Sequence, residues 1–297
     1  MAKHNEQQEN TLASGPAATR DWSLLDGWEW AKLLSAQPQF AVHCDWTQLS
    51  GWDWATLLSA QPHFAVHCHW NKLDSRDWAK LLSVVPQFSG YCEWSKLDGG
   101  DWAYLLSVVP QFSGHCDWNK PSARDWVYLL LKQPQFSGYC NWSLLSHRDW
   151  VTLLSAQPQF SVHCDWNKLD NRDWVTLLSA LPQFAEHCEW SKLDGGDWAT
   201  LLSAQPQFSV HCDWNKLDNT DVVKLLSEQP QFAEHCNWSK LNLSGEDWAY
   251  LLSEYPEIQK FMDKSVALDF LESIDGVKYL ENSFLSHHPP SGKKKKS

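Results

Sequence analysis

The amino-acid sequence predicts an all-α fold, an α-solenoid of about ten tandem 24-residue two-helix repeats with a helical C-terminal cap. Nearly the same segment recurs every 24 residues from Asp21 to about Asn237. Nine prolines, from Pro38 to Pro230, fall on one position of that period, and all nine cysteines fall on another. A fixed period of this length indicates a stacked array in which each repeat contacts its neighbours. The cysteines are Cys44, Cys68, Cys92, Cys116, Cys140, Cys164, Cys188, Cys212 and Cys236.

The first half of each repeat has the pattern of a capped α-helix. Ser50 precedes Asp53 by three residues, which resembles a capping box with Asp in place of the usual Glu or Gln. Trp54, Leu57 and Leu58 then follow at the spacing of one helical face. Pro62 ends this helix, because the residue before a proline avoids the α-helical region. We therefore expect an α-helix of about three turns.

The second half of the repeat predicts a shorter helix that begins at the proline. Proline suits the first position of a helix, and Phe64 and Cys68 have the i, i+4 spacing of one α-helical face. The pair Trp70 and Leu73 forms a connector to the same core. Helices this short are marginal alone, so each must pack on the next repeat. A leucine-rich-repeat solenoid also has periods near 24 residues, but its strand alternation is absent here.

Tryptophan is the main source of apolar surface in the predicted core. The chain has 21 tryptophans, and most lie in two columns, one from Trp22 to Trp238 in the connectors and one from Trp30 to Trp198 in the first helix. Large aromatic side chains dominate core energetics, so we interpret both columns as packing residues. The nine cysteines are an odd number, and stacked helices lie farther apart than a disulfide allows. We expect a ladder of buried, reduced thiols.

The array predicts four segments along the chain. Residues 1–20 are polar and predict a flexible leader, 21–263 form the repeats, 264–285 predict capping helices, and 286–297 predict a disordered basic tail. Within the array, Pro121 replaces a connector leucine, and Val222 replaces a tryptophan. Two extra residues enter between Leu241 and Asp247.

Charge and hydropathy exclude several classes of function. The net charge is −12, and it is −16 without Lys293–Lys296. An acidic surface repels phosphate backbones, so we expect no nucleic-acid partner, and it favours a basic protein partner. No segment has the roughly 18 apolar residues of a membrane span, and the amino terminus lacks a signal-peptide pattern. We therefore expect a cytoplasmic protein without membrane contact.

The recurring His-Cys pairs, such as His67-Cys68, raise a metal-binding or redox alternative. Zinc requires about four converging ligands, whereas adjacent helical residues point about 100° apart. Tyrosine, a poor zinc ligand, replaces the histidine at Tyr91 and Tyr139. We therefore predict no metal, although a metal-binding or redox array is kept as an alternative. The sequence has no Gly-rich phosphate loop and no H-E-x-x-H or G-x-S-x-G motif, so it predicts no enzyme and no cofactor.

The positions that vary between repeats predict the function. The two residues after each helix cap and the second residue after the first-helix tryptophan change most, and we expect them to face outward. Aromatic residues and arginine are enriched at binding hot spots. These positions predict a non-enzymatic scaffold, favoured as a monomer, that binds a protein or peptide; a structural, self-assembling or designed consensus array without a ligand is the alternative. The candidate binding residues are Trp28, Trp52, Arg76, Tyr104, Arg124, Tyr128, Arg148 and Arg172.

Overall fold

A computed structural model describes residues 21–261, which fall into two units that meet at Leu145 and Ser146. The expected leader, capping helices and tail lie outside these residues. The described chain is helical and contains ten α-helices and no strand, which confirms the all-α prediction and excludes the leucine-rich-repeat alternative. Unit 1 holds α1 (Gly27–Ala36), α2 (Gly51–Ala60), α3 (Ser75–Val84), α4 (Gly99–Val108) and α5 (Ala123–Lys132). Unit 2 holds α6 (His147–Ala156), α7 (Asn171–Ala180), α8 (Gly195–Ala204), α9 (Asn219–Glu228) and α10 (Gly245–Glu254).

Every α-helix in the described chain begins with a complete capping box. In α3, the Asp77 amide donates to the Asp74 carboxylate at 2.9 Å, and the Asp74 amide donates to the Asp77 carboxylate at 3.0 Å. These bonds satisfy backbone donors that a helix start otherwise leaves unpaired. Aspartate therefore serves as well as the more usual glutamate in this position.

The buried capping aspartate gives a direct test of this arrangement. Burial raises the pKa of Asp77, so its charge opposes folding while its oxygen supports the cap. We expect Asp77→Ala to lower the free energy of unfolding by about 0.5–1.5 kcal/mol, the usual net contribution of one hydrogen bond, because the Asp74 amide loses its acceptor. Asp77→Asn keeps an acceptor oxygen without the charge and should cost less. Urea denaturation followed by circular dichroism at pH 7 compares the two, and equal losses would contradict the capping role.

The second helix of each repeat is a 3-10 helix, which corrects the expected α-helical face. In the second repeat it covers Pro62–His67, after Gln61 has left the helical region with φ −133° and ψ 76°. Residues i and i+3 eclipse in a 3-10 helix, so His67, not Cys68, shares the face of Phe64. Cys68 lies beyond the helix in extended backbone. The equivalent helices are Pro38–His43, Pro86–Tyr91, Pro110–His115, Pro134–Tyr139, Pro158–His163, Pro182–His187, Pro206–His211, Pro230–Glu234 and Pro256–Phe261.

Most connectors also contain a short 3-10 turn. Leu97 closes one of these turns when its amide donates to the Trp94 carbonyl at 3.3 Å, and its side chain is fully buried. Pro121 has no N–H for this bond, and the structure has no 3-10 turn after Trp118. The turns are Trp22–Leu24, Trp46–Gln48, Trp70–Lys72, Trp94–Lys96, Trp142–Leu144, Trp166–Lys168, Trp190–Lys192, Trp214–Lys216 and Trp238–Lys240.

Within each unit, consecutive α-helices pack side by side, as in an α-solenoid. The first-helix tryptophans and the leucine pair of each helix, such as Leu57 and Leu58, form the core. Polar side chains bridge neighbouring repeats. The Lys72 ammonium donates to the Thr47 and Leu49 carbonyls at 2.6 and 2.7 Å, and the Gln61 amide donates to the Ser35 carbonyl at 2.9 Å. Within each unit, apolar contacts hold neighbouring repeats together, and polar bonds of this kind add to them in several repeats.

Candidate partner-binding surface

Each α-helix buries one side and carries its second, sixth and tenth residues on the other, where all are exposed except the half-buried Thr56 and Lys80. In α1 these residues are Trp28, Lys32 and Ala36, whereas Trp30 and Leu34 on the opposite side are buried. Residues four apart lie on one helical face, so the three positions form a row along the helix. The rows of neighbouring helices together form one surface in each unit, and we call this surface the helix stripe.

All eight candidate residues are exposed members of a helix stripe. The four aromatic side chains keep 40–50% of their surface accessible, at Trp28, Trp52, Tyr104 and Tyr128. The unit 1 stripe brings these aromatics together with Arg76 and Arg124, and the unit 2 stripe contains Arg148 and Arg172. Four further stripe residues, which were not among the sequence candidates, are Lys32, Lys80, Lys132 and Tyr250. Their spacing of four or eight residues from the second helix position is the signal that identifies them.

Three of the four aromatic side chains of the unit 1 stripe, Trp52, Tyr104 and Tyr128, contact residues of a neighbouring helix. The Lys80 ammonium lies 3.4 Å from the centroid of the Trp52 ring and 3.1 Å from the Thr56 hydroxyl. The Tyr104 hydroxyl lies 3.3 Å from the Ser83 hydroxyl, and the Tyr128 hydroxyl lies at the same distance from Ser107. These contacts fix the rings before any partner arrives, which lowers the entropy cost of binding.

The first residue of each α-helix does not face outward, which corrects one expectation. Gly51 and Gly99 are buried, and a Cβ atom on Gly51 would meet the Asp77 carboxylate and the Lys72 carbonyl. His147 has the same place in α6, where its Nδ1 lies 2.9 Å from the Asp173 carboxylate of α7. The first residue after the cap therefore varies at a contact between repeats, and only the second residue after the cap is exposed.

The histidine stacks on a connector tryptophan in six His-Cys pairs, those of His43, His67, His115, His187, His211 and His235. The His115 ring lies 4.4 Å from the Trp94 ring with an interplanar angle of 5°, and Trp102 stacks on the same indole at 5.5 Å. Tyr91 stacks in the same way on Trp70, and Phe261 does so on Trp238. Since His, Tyr and Phe all occupy this column, its shared property is a flat ring. Tyr91 and Tyr139 are the sequence signal for an aromatic residue at this position, in addition to being evidence against metal.

The nine thiols are unpaired and less deeply buried than expected. Cys188 and Cys236 are buried, and the others keep some exposure, because each lies at the end of the 3-10 helix instead of on its inner face. Burial raises the pKa of every thiol to about 12, from an ordinary value of 9.0. A thiol must ionise to act as a nucleophile or metal ligand, so these groups are poorly reactive at neutral pH.

One group of potential metal ligands lies in unit 2 and does not involve a His-Cys pair. It consists of His147, Asp170 and Asp173, whose ligand atoms lie within 4.8 Å of one another. The Asp173 oxygen that contacts His147 also accepts the Asp170 amide at 2.9 Å, as part of the α7 cap. The group is therefore the usual contact between the first residue of one α-helix and the capping box of the next, with histidine as the first residue. Among the described residues no His-Cys pair belongs to a group of three such ligands.

No helix in residues 21–261 is long and apolar enough to cross a membrane. Comparisons with protein-family models, curated proteins and solved structures found no match.

Proposed function

We propose that the chain is a non-enzymatic repeat scaffold that binds a protein or peptide partner along its helix stripe. The observation that carries the proposal is the set of four stripe aromatics that are 40–50% exposed, in equivalent helix positions of one unit. Trp28 and Trp52 lie on adjacent helices, as do Tyr104 and Tyr128. Tryptophan and tyrosine dominate binding energy at protein interfaces. Regular helix packing would present them to an extended partner at a fixed spacing.

The chemistry of the repeated residues supports binding in preference to catalysis. The histidines are stacked on tryptophan, and the raised thiol pKa values leave the cysteines protonated at neutral pH. The stripe positions of the described helices contain no histidine or cysteine that could act as a general base or nucleophile. A surface with exposed aromatic and cationic groups, and without a histidine or cysteine that could act as a base or nucleophile, suits recognition of a partner.

Selection of random 16-residue peptides on the immobilised protein tests the proposal. The affinity of the enriched peptides is then measured for a variant with Trp28→Ala, Trp52→Ala, Tyr104→Ala and Tyr128→Ala. We expect at least a tenfold loss of affinity, because the variant removes all four aromatic anchors.

A matched control carries Val42→Ser and Val66→Ser. Both valines are 84% exposed on the 3-10 helices, away from the stripe. This control should change affinity less than twofold, and circular dichroism should show both variants folded. Failure to enrich any peptide would contradict the proposed function, and equal losses in the two variants would contradict the stripe as its location.

A further inference from the structure

The unit 1 stripe is cationic although the whole chain is acidic. Its fifteen positions hold five lysines or arginines and no aspartate or glutamate. In unit 2 the same positions hold three cations and three glutamates. The cations of unit 1 are Lys32, Arg76, Lys80, Arg124 and Lys132.

Three of these cations have charge available for a partner. Arg76, Arg124 and Lys132 form no ion pair or side-chain hydrogen bond with any residue from 21 to 261, and all three side chains are exposed. A guanidinium presents a rigid fork of donors that matches a carboxylate in two parallel hydrogen bonds. The two arginines are therefore ready sites for carboxylate groups.

The acidic residues nearest the stripe are largely committed to helix caps. Asp77 and Asp101 are buried, and each accepts the amide of its cap residue, at 3.0 and 3.2 Å. The exposed cap residues Asp26, Asp74 and Asp98 lie at the amino ends of α1, α3 and α4, so they border the stripe on one edge. The negative net charge of the chain is therefore compatible with a cationic stripe beside this acidic edge.

The order of the stripe residues defines a spacing for a bound chain. Arg76 on α3 and Arg124 on α5 are separated by one helix, α4, which has Gly100 at the same position and Tyr104 one turn farther along. Packed helices lie about 8–10 Å apart, and an extended peptide advances about 3.3 Å per residue. Three peptide residues thus correspond to one helix, and about six residues separate groups that reach the two arginines.

We propose that the unit 1 stripe binds an acidic peptide segment that runs in extended form across the helices, with carboxylates about six residues apart on Arg76 and Arg124. The proposal rests on the proposed scaffold function and specifies its partner. Trp52, Tyr104 and Tyr128 supply apolar contacts between and beside the two ion pairs. The net charge of the whole chain had suggested a basic partner, whereas the charge distribution of this stripe favours an acidic one.

The acidic edge also distinguishes a peptide from a nucleic acid. A single strand carries a phosphate at every nucleotide, so some phosphates would lie near Asp74 and Asp98. A peptide can place its carboxylates on the arginines and neutral residues beside the aspartates. Stacking of bases on the aromatics would not remove this repulsion.

Sequencing of the enriched peptides described above tests the proposal. We expect Asp and Glu to be enriched at least twofold over the starting library, in pairs five to seven residues apart. Arg76→Glu with Arg124→Glu should weaken the leading peptide at least tenfold. Lys192→Glu with Lys240→Glu, at two exposed connector lysines of unit 2 that lie outside the stripe, is the matched control and should change affinity less than twofold. Affinity should also fall as salt rises from 50 to 300 mM, because exposed ion pairs are screened.

The outcomes separate this inference from the function on which it rests. Enrichment of basic or uncharged peptides would overturn the acidic partner and leave a peptide scaffold. Tighter binding of a random 20-nucleotide single strand than of any selected peptide would also overturn it. Equal losses in the two charge-reversal variants would remove the site from unit 1. Absence of any enriched peptide would overturn both the inference and the proposed function.

Discussion

Trp102→Ala is expected to lower the free energy of unfolding by roughly 3–5 kcal/mol, the usual cost of truncating a buried tryptophan. Trp102 is 1% exposed, and its ring stacks on Trp94 at 5.5 Å. Truncation leaves a cavity between two repeats. It also removes one of the two rings, Trp102 and His115, that stack on Trp94. Urea denaturation followed by circular dichroism at 222 nm measures the loss. Since stability in repeat arrays is a sum of neighbour contacts, the transition should also broaden as unit 1 weakens at its centre.

Two further variants separate burial from the presence of an indole. Trp28→Ala should cost less than half as much as Trp102→Ala, because 49% of Trp28 is exposed and much less buried apolar surface is lost. Trp102→Phe should cost less than Trp102→Ala, since it keeps a ring and removes an indole N–H that has no hydrogen-bond partner among the described residues. Comparable losses for Trp28→Ala and Trp102→Ala would contradict the assignment of the two residues to surface and core.

Alkaline pH is expected to unfold the protein through its thiols. In the unfolded chain cysteine ionises near its ordinary pKa of 9.0, whereas in the folded chain burial holds the pKa at about 12. Between these values the unfolded state binds fewer protons, so the free energy of unfolding falls as pH rises above 9. One pKa unit corresponds to about 1.4 kcal/mol, and partial exposure reduces this to roughly 0.7 kcal/mol per thiol per pH unit. Nine thiols together would remove about 6 kcal/mol by pH 10, which is comparable to the stability of a typical domain.

Replacement of some thiols isolates their contribution from that of lysine and tyrosine, which also titrate near pH 10. A variant with alanine at Cys68, Cys92, Cys116 and Cys140 has the same lysines and tyrosines and four fewer thiols. The slope of unfolding free energy against pH between 9 and 11 should fall by nearly half. Urea titrations at each pH give the slope, which does not depend on the stability that the variant loses at neutral pH. An unchanged slope would show that other groups cause the alkaline loss.

The fold could be predicted from the sequence because its signals are local and repeated. A cap residue followed by an acidic residue, a leucine pair and a proline define the α-helix in every repeat, with tryptophan before the leucines in all but the Val222 repeat, and the structure confirms these helices. The second helix was the weaker prediction, since Phe64 with His67 fits a 3-10 helix as well as Phe64 with Cys68 fits an α-helix. Hydrogen-bond geometry after the proline decides between them, and no residue pattern in the segment encodes that choice.

The surface could be predicted less fully because it depends on contacts between repeats. Exposure of Trp52 and Tyr104 follows from helical spacing, so these candidates were found. The contact of His147 with Asp173 joins residues 26 positions apart, and the sequence gives no sign of it. The charge of the unit 1 stripe likewise becomes visible only when residues 24 apart are placed side by side. Net charge over the whole chain hides that difference.

Because every α-helix begins with the same kind of capping box, the array can change length by whole repeats. At each junction between repeats, the third residue of the next α-helix is an aspartate that closes its capping box. The start of one repeat can therefore follow the end of another. If residues 75–98 were deleted, Asp74 would precede Gly99, and Asp101 would complete the cap that Asp77 forms now. Gene segments that encode near-identical repeats recombine in register, and a loss or gain of 24 residues would leave each remaining join chemically intact. The protein is thus built so that its reach can be altered by whole repeats without a new interface.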